Sequence, residues 1–201
     1  MHNVVYFSGS HGSGKSTLIK KISEKDTKLF KVYEKLKIPK SEDPLERQKL
    51  RLVRYYWDAL NQQKFSKENP DKILLCDRDV SSSYAYTKTL TQLGWMTQKQ
   101  YEECAYLREE LFDDSIKPKN IAFLNLSLEE LEKNIRKRWK ETGKKKWRED
   151  NFQYLGLVKI NFEEFYKEYE ANMLEIDFLD LEKRIKTCYD WITKTIKRNE
   201  R

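Results

Sequence analysis

The chain has 201 residues, and its 40 Lys and Arg outnumber its 33 Asp and Glu to give a formal charge of +7. That length suits one well-buried core and is short for two, which leads us to expect a single domain over 1–201 with a mobile appendage at most. Three widely spaced cysteines and two histidines show neither a disulfide framework nor a zinc site, and no apolar run approaches a bilayer span, so the expected setting is reducing and cytoplasmic with no membrane partner.

The first apolar run, 4–8, reads as a buried strand that leads directly into Gly9-Ser10-His11-Gly12-Ser13-Gly14-Lys15-Ser16-Thr17. This is a G-x-x-x-x-G-K-S phosphate-binding loop in its required setting between a strand and a helix. Its glycines let successive N–H groups turn inward around a phosphate, and Leu18, Ile19 and Ile22 mark one face of the helix that follows. The phosphate would also meet the positive end of that helix dipole. Residues 9–17 are therefore the candidate site for a nucleoside triphosphate such as ATP. Lys15 supplies charge near the β- and γ-phosphates, and the Ser16 hydroxyl is left for Mg²⁺.

A second strand is expected over 29–33, with Glu34 and Lys35 following it at the edge where ligands bind in such sheets. Ser41-Glu42-Asp43-Pro44 opens a helix containing Arg51, Arg54, Tyr55, Tyr56 and Trp57, aromatics that either line an acceptor pocket or pack the core. A third strand, 72–76, ends in Asp77-Arg78-Asp79. Asp77 is a candidate for the metal or its water, and the Arg78 fork for a second phosphate, although an architectural ion pair would leave the same pattern. Gly94 closes the next helix, 120–126 is a fourth strand, and Ser127-Leu128-Glu129-Glu130 is a capping box. Arg136, Arg138, Lys140, Lys144, Lys145, Lys146 and Arg148 then crowd around Thr142-Gly143, as a cationic flap over 136–152 or as a solvated basic hairpin. A weaker fifth strand, 173–176, completes an alternating α/β order that predicts a doubly wound parallel sheet.

Two stretches carry a resemblance. Asp77-Arg78-Asp79-Val80-Ser81-Ser82-Ser83-Tyr84-Ala85-Tyr86 resembles the D-R-Y-x-x-S-x-x-A-Y signature of thymidylate kinases, and Phe7-Ser8-Gly9 through Thr17 is similar to that family's opening loop. Weaker similarity runs through Ile135, Arg138, Arg148, Val158 and Phe162. The resemblance implies a three-layer P-loop kinase fold, with a five-stranded parallel sheet flanked by helices and a small helical lid. It further implies a nucleoside monophosphate kinase that uses ATP and Mg²⁺ and tends to form a homodimer. Carried over by position, Lys15, Asp77, Arg78 and Arg148 would be catalytic, and Arg138 would join residues 9–17 in holding ATP. Lys35, Arg54, Arg78, Ser82 and Tyr86 would face the acceptor, and Ser16 and Asp77 the metal. Ser8, His11 and Asp79 depart from the family pattern, departures that leave the phosphate cradle intact and bear on specificity for thymidine.

Two rivals stay open. A deoxynucleoside kinase would need a carboxylate after the second strand to accept a hydroxyl proton, and Glu34 is placed for that role. A P-loop ATPase acting with nucleic acid is less well matched, because the third strand ends in Asp-Arg without a paired acid for activating water. Neither N-K-x-D nor D-x-x-G occurs, which argues against a GTPase switch.

Overall fold

The computed structural model describes residues 2–145 and 147–198, which leaves Lys146, one of the expected flap cations, outside the described residues. Five parallel strands form one sheet: β1 (Val4–Ser8), β2 (Phe30–Val32), β3 (Ile73–Asp77), β4 (Asn120–Leu124) and β5 (Asn172–Ile176). Their order is β2-β3-β1-β4-β5. β1 and β4 are buried along their whole length, which is why both read as unbroken apolar runs with little alternation. β2 is an edge strand whose Lys31 and Val32 are exposed, and it is shorter than the apolar pattern suggests.

Helices cover both faces. α1 (Lys15–Lys25) and α7 (Leu181–Arg198) pack Leu18, Ile19, Ile22, Ile185 and Ile192 against Val5, Phe7 and Leu75 on one side. On the other side lie α2 (Pro44–Glu68), α3 (Ser81–Gln92), α4 (Gln98–Leu111), α5 (Leu128–Thr142) and α6 (Phe152–Glu168). There, Leu52, Tyr86, Leu90, Tyr154 and Phe162 close over Tyr6, Leu74 and Phe123. Each fully buried aliphatic or aromatic side chain contributes on the order of 1.5–3 kcal/mol to this three-layer packing. No helix among the described residues is long and apolar enough to cross a membrane.

The local signals set the helix starts. The Asp43 side chain accepts from Glu46 N at 2.7 Å with Pro44 at the first helical position, and Ser127 and Glu130 form a reciprocal capping box on α5. A second capping box, Thr97 with Gln100, starts α4 just after Gly94 has closed the preceding turn. At the far edge of the sheet, the buried Asn120 side chain donates to His2 O and Val4 O at 2.9 and 3.1 Å, pinning the start of β1 beside β4. β1 thus lies in the middle of the sheet, between β3 and β4, and its carboxyl end opens where neighbouring connections diverge.

Candidate active site

The loop after β1 can only be glycine-rich. Gly9 has φ 129° and a Cβ there would lie 2.4 Å from Leu124 O. Gly12 has φ 79°, and a Cβ would meet Leu131 O at 2.7 Å and Ile135 Cγ1 at 2.8 Å. Space and backbone conformation both exclude a side chain at these two points. The loop is braced from outside as well: Asn134 of α5 donates to Gly12 O at 2.9 Å, and Arg184 of α7 donates to Ser13 O at 3.2 Å. Lys15 is buried, and its Nζ donates to Gly9 O, Ser10 O and Ser13 Oγ at 2.8, 2.7 and 2.9 Å. α1 starts at this loop without a side-chain cap, so its first N–H groups point toward the same opening.

That opening is a cleft of about 570 Å³, whose wall includes Lys15, Ser16, Asp77, Arg138, Glu149 and Arg184. Ser16 Oγ donates to Asp77 Oδ2 at 3.4 Å, and Lys35 Nζ donates to the same oxygen at 2.8 Å. Burial pushes the Asp77 carboxyl upward, but Lys35, Lys15 and Arg78 outweigh it and hold its pKa at about 2. Asp77 is therefore ionised at neutral pH. Its Oδ1 is buried without a protein partner, while Ser16 presents its hydroxyl beside Oδ2. A hydroxyl and a carboxylate with an unclaimed oxygen form the donor set that suits a hard divalent cation.

Arg78, just past β3, adopts φ 74°, and its N–H donates to Phe7 O at 2.9 Å. Its guanidinium lies 5.1 Å from the centre of the Tyr86 ring, and Arg51 of α2 approaches the same ring at 5.2 Å. Burial disfavours the Arg78 charge, but Tyr86, Tyr55 and Asp77 favour it more strongly and raise its pKa above the usual arginine range. Asp79 serves the architecture: its buried carboxylate accepts from Ser81 N at 2.6 Å and from Tyr166 OH at 3.3 Å, tying the start of α3 to α6.

The remaining expected residues fall in three places. Ser82 and Tyr86 are buried on α3. Arg54 sits 3.6 Å from Asp58 and over the Tyr55 ring, and Glu34 is exposed at the edge beyond β2. Arg148, at φ 58°, is exposed and stacks on Trp95 and Trp147 at 4.6 and 5.3 Å, outside the wall of the phosphate cleft. Besides Lys15 and Arg78, the cations that reach that wall are Lys137 and Arg138 on α5 and Arg184 on α7. Arg184, Asn134 and the buried Glu149 carry no motif, and only the fold brings them to the loop.

A family model described as deoxynucleoside kinase matches residues 6–199. The structure is similar to deoxyadenosine kinase from M. mycoides with bound dATP, with TM-score 0.75, 18% identity, and coverage of 94% of this chain and 98% of that one. The same enzyme with bound dCTP gives TM-score 0.67 and 21% identity over 95% of this chain and 99% of that one. Thymidylate kinase from Candida albicans gives TM-score 0.68 and 19% identity over 96% and 93%. At these identities the structural likeness establishes the fold alone. No curated protein matches the chain in sequence.

These findings overturn the thymidylate kinase resemblance and the monophosphate acceptor it implied. The physical reason is that both kinds of enzyme share this fold over more than nine-tenths of the chain. The loop after β1 and the Asp77-Arg78 pair at the end of β3 belong to that shared fold, and neither states what the acceptor carries.

Proposed function

Because this chain belongs to the deoxynucleoside kinase family, we propose that it transfers the γ-phosphoryl group of ATP or a deoxynucleoside triphosphate to the 5′-hydroxyl of a deoxynucleoside. The observation that carries this reading is the division of labour between two carboxylates at one sheet edge. Asp77 is claimed by Lys35 and too acidic to take a proton near neutral pH. The pairing of β2 with β3 runs Phe30↔Ile73, Lys31↔Leu74, Val32↔Leu75, and the same register continued by two residues would put Glu34 level with Asp77. Glu34 is thus the carboxylate available to accept the proton of a hydroxyl acceptor.

The transfer divides among this chain's residues as follows. The loop N–H groups and Lys15 hold the β- and γ-phosphates of the donor. The 5′-oxygen attacks the γ-phosphorus, its proton passes to Glu34, and the bond to the β-phosphate oxygen breaks to release a nucleoside diphosphate. Arg78 steadies the acceptor end, and Arg138 neutralises oxygen charge as it spreads in the loose transition state. Ser16 would ligate Mg²⁺ and Asp77 would hold its water, and the bound ion would neutralise charge on the β- and γ-oxygens. For the base, Gln48 is suggestive: it is fully buried on the α2 face that also carries Leu52 and Tyr55, and both its amide atoms lack a protein partner. Such an amide offers one donor edge and one acceptor to a nucleobase.

The test is an acceptor panel: purified chain, Mg²⁺ and ATP with each deoxynucleoside and each corresponding monophosphate. Formation of deoxynucleoside monophosphate is the expected result. Products found only from monophosphate acceptors, or hydrolysis of ATP without any phosphorylated acceptor, would defeat the proposal.

A further inference from the structure

Glu149 lies in the turn between α5 and α6, fully buried although the residues on either side of it are exposed. One carboxylate oxygen is 3.0 Å from Nδ1 of His11 in the phosphate loop, and the other accepts from Nη2 of Arg138 on α5. His11 is close to fully enclosed, and burial drives its pKa down to about 3 against the opposing pull of Glu149, so the neutral ring donates to that carboxylate from Nδ1. Asn134 stands one helical turn before Arg138 and bonds to Gly12 O in the same loop. α5 is therefore tied to the loop twice, directly through Asn134 and indirectly through the Arg138–Glu149–His11 relay. Arg138 Nε is buried without a protein partner, and its guanidinium forms part of the cleft wall with Lys15 and Ser16.

We propose that Glu149 is a positioning residue that orients the Arg138 guanidinium toward the transferring phosphoryl group, and that His11 locks this carboxylate to the phosphate loop. The relay gives a purpose to His11, the loop position least explained by phosphate binding, because a cradle built from backbone donors does not need an imidazole. It also explains why a carboxylate stands against a site that must receive polyphosphate. Both its oxygens are engaged, so Glu149 directs a cation and does not simply repel the ligand. The inference rests on the kinase reading above and deepens it by assigning how the lid cation is aimed.

A double-mutant cycle tests it, read with steady-state kinetics and thermal unfolding on the full chain. Arg138→Ala is expected to lower kcat by about 10²-fold, and Glu149→Gln by about 10-fold with acceptor KM within about 3-fold, the scale of a misplaced catalytic group. Combining them should do no more than Arg138→Ala alone, since Glu149 acts through that guanidinium. His11→Ala should behave like Glu149→Gln, and His11→Gln, which keeps a donor, should recover part of the loss. Should Glu149→Gln fail to fold, the His11→Ala with Arg138→Ala cycle carries the same test. Losses that multiply in the double variant, or an unchanged kcat in Glu149→Gln and His11→Ala, would overturn the relay. If the wild-type chain phosphorylates no deoxynucleoside at all, the proposed function fails first, and that outcome is separate from the coupling result.

Discussion

The phosphate loop and the side chains proposed to meet the acceptor share one edge of the sheet but are made of different material. The cradle is a continuous stretch of nine residues whose shape comes from backbone: Gly9 and Gly12 admit no Cβ, and Lys15 is held by carbonyls of the loop itself. The proposed acceptor side is made of side chains on α2, on α3 and just past β3, where Arg51 and Arg78 converge on Tyr86 and where Gln48 and Ser82 have buried polar atoms without protein partners. Backbone binds phosphate in any nucleotide, so it determines a class of donor. Side chains discriminate, so the acceptor is decided where sequence motifs are silent.

The largest expected effect lies in the cradle. Lys15→Ala removes the cation proposed to hold the β- and γ-phosphates and should lower kcat/KM by about 10³- to 10⁵-fold, the cost of losing a transition-state cation in phosphoryl transfer. A loss below tenfold in a coupled assay would mean that Lys15 only braces the loop through Gly9, Ser10 and Ser13. Next is the acceptor side. Glu34→Gln should reduce kcat by about 10²- to 10⁴-fold while ATP binding, measured by calorimetry, stays within about 3-fold. A matching fall in ATP affinity would show that the two halves are not separable in the way their construction suggests.

These two variants also mark what could be read before the fold was known. The cradle and its flanking strand and helix were fully legible, because Gly9 to Ser16 must follow one another in sequence to make one concave surface. The five strands were legible too, through buried apolar runs such as 4–8 and 120–124. The acceptor class was not. Asp77-Arg78 stands at the end of β3 in a fold shared by structures as different in acceptor as deoxyadenosine kinase and thymidylate kinase, and Asp79, which departs from the thymidylate kinase pattern, accepts from Ser81 N at the start of α3 and from Tyr166. Arg184 and Glu149 reach the loop across 171 and 138 residues of chain, a juxtaposition that no local spacing encodes.

A smaller effect separates backbone strain from crowding. Gly12→Ala should cost about 1–3 kcal/mol for the left-handed conformation, with a further penalty because Leu131 O and Ile135 lie within 3 Å of the new Cβ. Gly143, which caps α5 at φ 65° and has nothing within 4 Å of its Cβ position, meets only the first term. Gly143→Ala should therefore lower Tm by less than Gly12→Ala, and equal shifts would remove crowding from the account of the cradle.

The effect that vanishes at neutral pH is also the one that joins the two halves. His11 touches both: its ring is 5.5 Å from that of Tyr86, and its Nδ1 meets Glu149. Its pKa falls from 6.5 to about 3 on folding, chiefly by burial, with Arg78 and Lys15 adding to the fall and Glu149 opposing it. The unfolded chain therefore binds a proton that the folded chain refuses between pH 6.5 and about 3. Stability attributable to His11 is intact above pH 6.5 and declines as pH drops through that window, by up to about 1.4 kcal/mol per unit. His11→Asn has no proton to gain. Its stability difference from wild type, followed by urea midpoints, should be flat between pH 8 and 7 and should move in favour of the variant between pH 6 and 4. A difference that stays flat through pH 4 would mean that the ring opens to water or keeps its proton against Glu149, and the loop would then be less tightly joined to α5 than the buried carboxylate indicates.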